Sequence, residues 1–318
     1  MDYFHLLPSD INNIIISYLS SDELGLILAT FSLTNLNWNT INEYHFGSYS
    51  SINESEYSLK LSVEKLVKFF KKLRLTYGID QLLNLKRLDI NNYQLKQVPP
   101  EIGNLINLQA LFLSNDRLIR VPPEIGNLTN LQSLCLSKNQ LIRVPPEIGN
   151  LINLNELSLA GNQLTQVQPE IGNLTNLQEL YLHDNKITQV PPEIGMLTNL
   201  RELNLSYNQL TQVPPEIGNL INLQKLLLFN NQLTKVPSEI GKLINLKELY
   251  LSYNQLTQVP NEIGNLTNLQ VLHLSDNQLI QVPAEIGYLM NLQTLYLDSK
   301  TQIPPEISRL NNLRIIYS

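Results

Sequence analysis

Residues 154–176 read LNELSLAGNQLTQVQPEIGNLTN. The opening Leu of this stretch recurs at 85, 108, 131, 154, 177, 200, 223, 246, 269 and 292, always 23 residues on, and once more at 313 after a step of 21. Within the unit, L-x-x-L-x-L alternates apolar and polar residues, the period of a short strand with one buried face. The second half, V-P-x-E-I-G-N-L, opposes a strand, because Pro lacks an N–H and has a fixed φ. It reads as a short helical or 3₁₀ turn ending near Gly.

Carried through ten copies, L-x-x-L-x-L-x-x-N-x-L at this period resembles the leucine-rich-repeat signature. One repeat cannot bury its own leucines, so the copies must stack and stabilise one another. The resemblance implies an α/β solenoid: an arc with parallel strands on the concave face and short turns on the convex face. Ten strands at about 4.8 Å spacing make a sheet on the order of 45 Å long. The recurring Asn at 139, 162, 185, 208, 231, 254 and 277 is expected to turn the chain off each strand. Its buried amide should satisfy backbone groups of adjacent turns as a ladder. Tyr93 and Asp116 hold this position in the first two copies and Lys300 in the last; terminal repeats are commonly atypical.

The 318 residues are 43% hydrophobic and 16% charged, with net charge −6. This describes a globular chain with no basic surface for nucleic acid. The lone Cys135 excludes a disulfide framework. The N-terminus, MDYFHLLPSD, lacks the basic and apolar regions of a secretory signal. No apolar run reaches the roughly 18 residues of a membrane span. The expected location is therefore the cytoplasm, with no membrane partner.

Three regions are expected: a helical domain over 1–50, a linker and capping helix over 51–84, and the repeats over 85–318. The first fifty residues hold five acids and no Lys or Arg. Residues 6–41 read LLPSDINNIIISYLSSDELGLILATFSLTNLNWNTI, which suggests about three short helices. Ser9 or Asp10 and then Ser20-Ser21-Asp22 are placed to cap them. The order L-P-x-[DE]-I, I-I-x-x-Y-L, an acidic-capped helix and a lone Trp resembles an F-box. That resemblance implies a dock for the adaptor Skp1 through Leu7, Pro8, Ile11 and Ile14, with Leu19 and Leu24 behind them. The segment departs from the family in having no basic residues around Trp38. A plainer reading, in which these helices only cap the solenoid, stays open. Residues 57–77 carry Leu59, Val63, Leu66, Val67, Phe70 and Leu73 at helical spacing, with Gly78 as a helix stop. That helix is expected to cover the hydrophobic end of the array.

Framework positions barely change between copies, whereas the outward strand positions vary. They carry Phe112, Tyr181, Tyr250, His273 and Tyr296, with His183, Tyr207, Phe229 and Tyr253 beside them. A solvent-facing sheet does not need these rings, and in a groove they have the chemistry of partner-binding hot spots. The plainer alternative is that they fill a surface suited to strands. Phosphate-loop, kinase and H-E-x-x-H signatures are absent, so no catalytic residue, cofactor or metal is expected. His183 and His273, four repeats apart, are too distant to share an ion. The resemblances imply an F-box/LRR substrate receptor for a cullin–RING ubiquitin ligase. The repeats are also similar to intracellular Ras-binding LRR proteins such as scribble and erbin, which implies the alternative of a signalling scaffold.

Overall fold

The computed structural model describes residues 62, 65–77 and 79–318. The F-box-like segment, with Leu7, Pro8, Ile11, Ile14, Leu19 and Leu24, lies outside the described residues. The chain divides into two compact units. One ends at Lys86 and takes in Pro99–Leu108; the other comprises Arg87–Val98 and Gln109–Ser318.

In the first unit residues 65–72 are helical. Leu66 and Phe70 are each 1% exposed, and Phe70 packs edge-on against Tyr77 with ring centroids 5.5 Å apart. Lys65 Nζ lies 2.9 Å from Glu101 Oε1. The helix ends earlier than the spacing predicts. Arg74 takes a left-handed φ of 60°. Leu75 N–H reaches back to Phe70 O and Arg74 N–H to Lys71 O, both at 3.0 Å. This pair of bonds is a Schellman closure. Arg occupies the position usually marked by Gly, so the stop has no signal in the sequence. A second short helix, Ile79–Leu83, follows.

The second unit is one parallel sheet of eleven strands in chain order. The strands run from β1 (Arg87–Asp89), β2 (Ala110–Phe112), β3 (Ser133–Cys135), β4 (Glu156–Ser158), β5 (Glu179–Tyr181) and β6 (Glu202–Asn204) to β7 (Lys225–Leu227), β8 (Glu248–Tyr250), β9 (Val271–His273), β10 (Thr294–Leu297) and β11 (Arg314–Tyr317). Register follows the repeat: Leu134 pairs with Leu157, and Leu157 with Leu180. Leu157 is fully buried and Leu159 is 1% exposed, as the alternation predicts. Each strand from β1 to β10 is followed by a five-residue 3₁₀ turn, Pro146–Asn150 for example, whose Ile148 is fully buried. This is the expected solenoid arc of strands and 3₁₀ turns.

The Asn ladder forms. Asn208 Oδ1 accepts Ile187 N–H at 2.9 Å, and its Nδ2 donates to the carbonyls of Leu182, Leu205 and Ser206 at 3.0–3.1 Å. A second ladder was not anticipated. From Leu151 to Leu289 the Asn two residues beyond the convex-side Leu donates to the carbonyl 24 positions back, as Asn176 Nδ2 does to Ile152 O at 2.9 Å. At the C-terminal end Lys300 does not form the last rung; it is exposed. Thr301 Oγ1 donates to Leu279 O at 3.3 Å, and Asp298 Oδ1 accepts Asp276 N–H at 2.8 Å. The long Lys side chain carries a charge that the rung site would desolvate, and two short polar side chains replace it.

The turn glycines have a further reason. A Cβ on Gly218 would lie 2.5 Å from Glu239 O and 2.8 Å from Glu239 Cβ in the next copy. The missing side chain sets how closely successive turns approach.

Candidate functional site

The outward positions of β2–β10 form two chemically different halves. In the earlier copies the side chains are small and polar. Ser114 Oγ lies 3.0 Å from Cys135 Sγ, Cys135 Sγ lies 3.5 Å from Ser137 Oγ, and Ser137 Oγ lies 2.6 Å from Ser158 Oγ. Ser133 Oγ donates to Glu156 Oε2 at 3.1 Å. Phe112 stands apart from the other predicted aromatic residues and receives the Arg87 guanidinium 4.3 Å above its ring.

From β5 onward the rings appear. Tyr181 and His183 meet edge-on at 6.3 Å. A continuous run then crosses five copies: Tyr207–Phe229 at 5.2 Å, Phe229–Tyr250 at 6.4 Å, Tyr250–His273 at 5.7 Å and His273–Tyr296 at 3.8 Å. The last two pairs are stacked and the first two edge-on, the edge-on contact being a favourable ring geometry. Two residues differ from the simple expectation of strand positions. Tyr207 and Tyr253 sit in the turn after their strands, each with a left-handed φ of 52°. Tyr207 still packs on Phe229, while Tyr253 lies outside the run and is 55% exposed.

A carboxylate column lies two residues before the ring column and shares its face. Tyr181 O–H donates to Glu179 Oε2 at 2.7 Å, and Tyr250 O–H to Glu248 Oε2 at 3.1 Å. The signal was present in Glu179-Leu180-Tyr181 and Glu248-Leu249-Tyr250, because residues two apart on a strand point the same way. Lys225 Nζ lies 3.5 Å from Glu248 Oε2. Burial raises the Glu202 carboxyl, and the like charges of Glu179 and Glu248 add to this while Lys225 opposes it. Burial and the Glu248 charge and hydrogen bond push the Tyr250 phenol up to about 12. Burial raises Tyr181 as well. His183 and His273 are lowered by burial, with Asp184 and Asp276 respectively opposing.

Among the described residues no group of three His, Cys, Asp or Glu could hold a metal ion, and no helix is long and apolar enough to cross a membrane. Cys135 is a half-buried free thiol.

A leucine-rich repeat region matches residues 61–186 and 237–318, and shorter leucine-rich-repeat matches fall on 175–219 and 222–243. A comparison with curated proteins finds no match. Among solved structures, the chain is 36% identical to an LRR protein of Leptospira interrogans, with a TM-score of 0.60, covering 78% of this chain and 76% of that one. It is 30% identical to a TDR receptor (TM-score 0.68), covering 73% of this chain and 42% of the receptor. It is 29% identical to the plant peptide hormone receptor RGFR1 in complex with RGF2 (TM-score 0.51), covering 70% of this chain and 45% of that one. The chain thus spans less than half the length of either receptor. Leucine-rich-repeat proteins are in general protein-interaction modules. From its 23-residue period, its sheet, its Asn ladder and these matches, the chain belongs to the leucine-rich-repeat family.

Proposed function

We infer that the chain is a protein-interaction receptor that holds a partner polypeptide on the concave sheet. Residues 6–41 form an F-box-like dock for a Skp1-like adaptor, and the chain recruits its partner to an SCF-type ubiquitin ligase without catalytic residues of its own. The observation that carries the binding half is the continuous run from Tyr207 to Tyr296. Rings held by one another lose little entropy on binding, and that favours hot spots. The similarity to a receptor solved in complex with RGF2 supports the same half. The adaptor half rests on the sequence of residues 6–41.

The family matches fall within residues 61–318, and a second reading uses the repeats alone. In it the chain is a scaffold for a signalling protein such as a Ras-like GTPase, and the N-terminal helices are a cap. A pull-down with purified Skp1 separates the two readings. The receptor reading expects capture by the intact chain and loss of capture in Leu7→Ala/Pro8→Ala. Absence of capture by a folded chain overturns the adaptor half and leaves the scaffold.

A further inference from the structure

The geometry points to one kind of occupant for the concave face: an extended polypeptide segment with Lys or Arg at one end and an apolar or aromatic residue at the other. This rests on the concave-face reading above. The cations lie over β4–β6 and the apolar end over β7–β10.

The apolar half comes first, because it defines the docking surface. Leu227, Phe229, Tyr250, Val271, His273 and Tyr296 lie on adjacent copies, all half-buried and facing outward. The rings are already packed on one another, so their edges and free faces are presented together rather than one at a time. The column that carries carboxylates elsewhere turns neutral at β9 and β10, where Val271 and Thr294 pair in register. An apolar side chain entering this half meets no carboxylate from that column at β9 or β10.

Charge then selects what adjoins it. Glu156, Glu179 and Glu202 pair in register on three successive strands. At strand spacing their carboxylates repeat about every 4.8 Å. The next residue in the column is Lys225, which lies 3.5 Å from Glu248 and offsets part of the charge of its register neighbour Glu202, leaving Glu156 and Glu179 farther from it. Three like charges side by side on half-buried positions repel one another, and an incoming Lys or Arg relieves that repulsion. The Tyr181 ring beside them, its O–H held by Glu179, adds a face for a cation. An acidic segment would meet the same row as repulsion, so the row also selects against the wrong partner.

The dimensions favour an extended chain. The strands are mostly three residues long, so the face is narrow, while β4 to β10 spans about 29 Å. An extended segment of roughly eight or nine residues covers that length. Its basic and apolar ends should therefore be separated by about that many residues.

The test is selection of a random twelve-residue displayed peptide library on the intact chain. Peptides that also bind Tyr250→Ala/Tyr296→Ala are discarded. The expected pool is enriched in Lys and Arg at one end and in apolar or aromatic residues at the other. Single peptides from it should bind roughly tenfold or more weakly to Glu156→Lys/Glu179→Lys/Glu202→Lys, and the triple variant should select acidic peptides instead. A pool that depends on the tyrosines but is neutral or acidic overturns this inference and leaves the concave-face reading intact. A pool with no dependence on the tyrosines overturns both. Circular dichroism and thermal melting of each variant confirm that the lost binding is not lost fold.

Discussion

Asp116 Oδ1 accepts the backbone N–H of Leu95 at 3.0 Å, in the same register in which Asn139 Oδ1 takes the N–H of Leu118 at 3.0 Å. Half of the ladder chemistry is therefore kept at this rung and half is lost. Asn139 Nδ2 donates to Leu113 O at 2.7 Å and Leu136 O at 3.0 Å. Asp116 Oδ2 is buried with no hydrogen-bond partner.

Asp116→Asn should accordingly stabilise the protein by about 1–3 kcal/mol at neutral pH, the cost of one buried group left unsatisfied. Burial raises the Asp116 carboxyl above its usual value, with the N–H groups of Leu95, Gln94 and Tyr93 opposing. A carboxyl raised in the folded state binds protons more tightly there than in the unfolded chain. Wild-type stability from this group is then full below the unfolded value and declines as pH rises through the folded one. The gain from Asn should shrink as pH falls toward 4. Urea titrations of both proteins at several pH values measure it, and a destabilised Asn variant would refute the account.

Gly218→Ala should destabilise the array by about 1–3 kcal/mol, because the added methyl meets the backbone of the next copy. That backbone cannot rotate away as a flexible side chain would. Chemical denaturation of the two proteins measures the loss. An Ala variant as stable as the parent would mean that successive turns separate easily.

Phe70→Ala should cost about 3–5 kcal/mol, since the ring is 1% exposed and fills the first unit beside Leu66 and Tyr77. Lys65→Met should cost about 1–3 kcal/mol, because the Lys side chain is 54% exposed but its partner Glu101 is only 11% exposed and would lose its charged hydrogen bond. Hydrogen exchange over residues 65–85 distinguishes local opening from loss of the whole fold.

Tyr181→Ala/Tyr250→Ala should reduce partner capture at least about tenfold, with little change in thermal midpoint. Both rings are half-buried on an outward face, and their hydroxyls bond to half-buried carboxylates rather than to core groups. Capture measured by biolayer interferometry with any peptide selected on the intact chain reports it. Undiminished capture would remove these tyrosines from the site.

His273 should titrate below its ordinary value of 6.5 and be neutral at pH 7. It is stacked between Tyr250 and Tyr296, its Nδ1 lies 3.4 Å from Ser275 Oγ, and Asp276 only partly offsets its burial. A His lowered in the folded state contributes stability above the unfolded value and loses it as pH falls through the folded one. NMR titration of the imidazole resonances reads the midpoint, and a midpoint above 6.5 would contradict the burial argument.

The period of 23, the inward leucines and the Asn ladder were legible because each copy repeats the same physical requirement. An apolar face must be covered and a buried amide must be bonded, and ten copies average away local noise. The ring positions were legible too, since alternation on a strand assigns Tyr181, Tyr250, His273 and Tyr296 to one face. Tertiary structure decided everything that lies between copies or departs from them. It joined Tyr207, which sits in a turn, to the ring run and left Tyr253 and Phe112 outside. It ended the first helix at Arg74, replaced Lys300 by Thr301 and Asp298, and assigned the 3₁₀-turn glycines from Gly126 to Gly264 to a neighbour 21 residues ahead and Gly287 to one 19 ahead. These outcomes depend on distances between segments remote in sequence, and a residue's own identity carries no record of what the next coil brings against it.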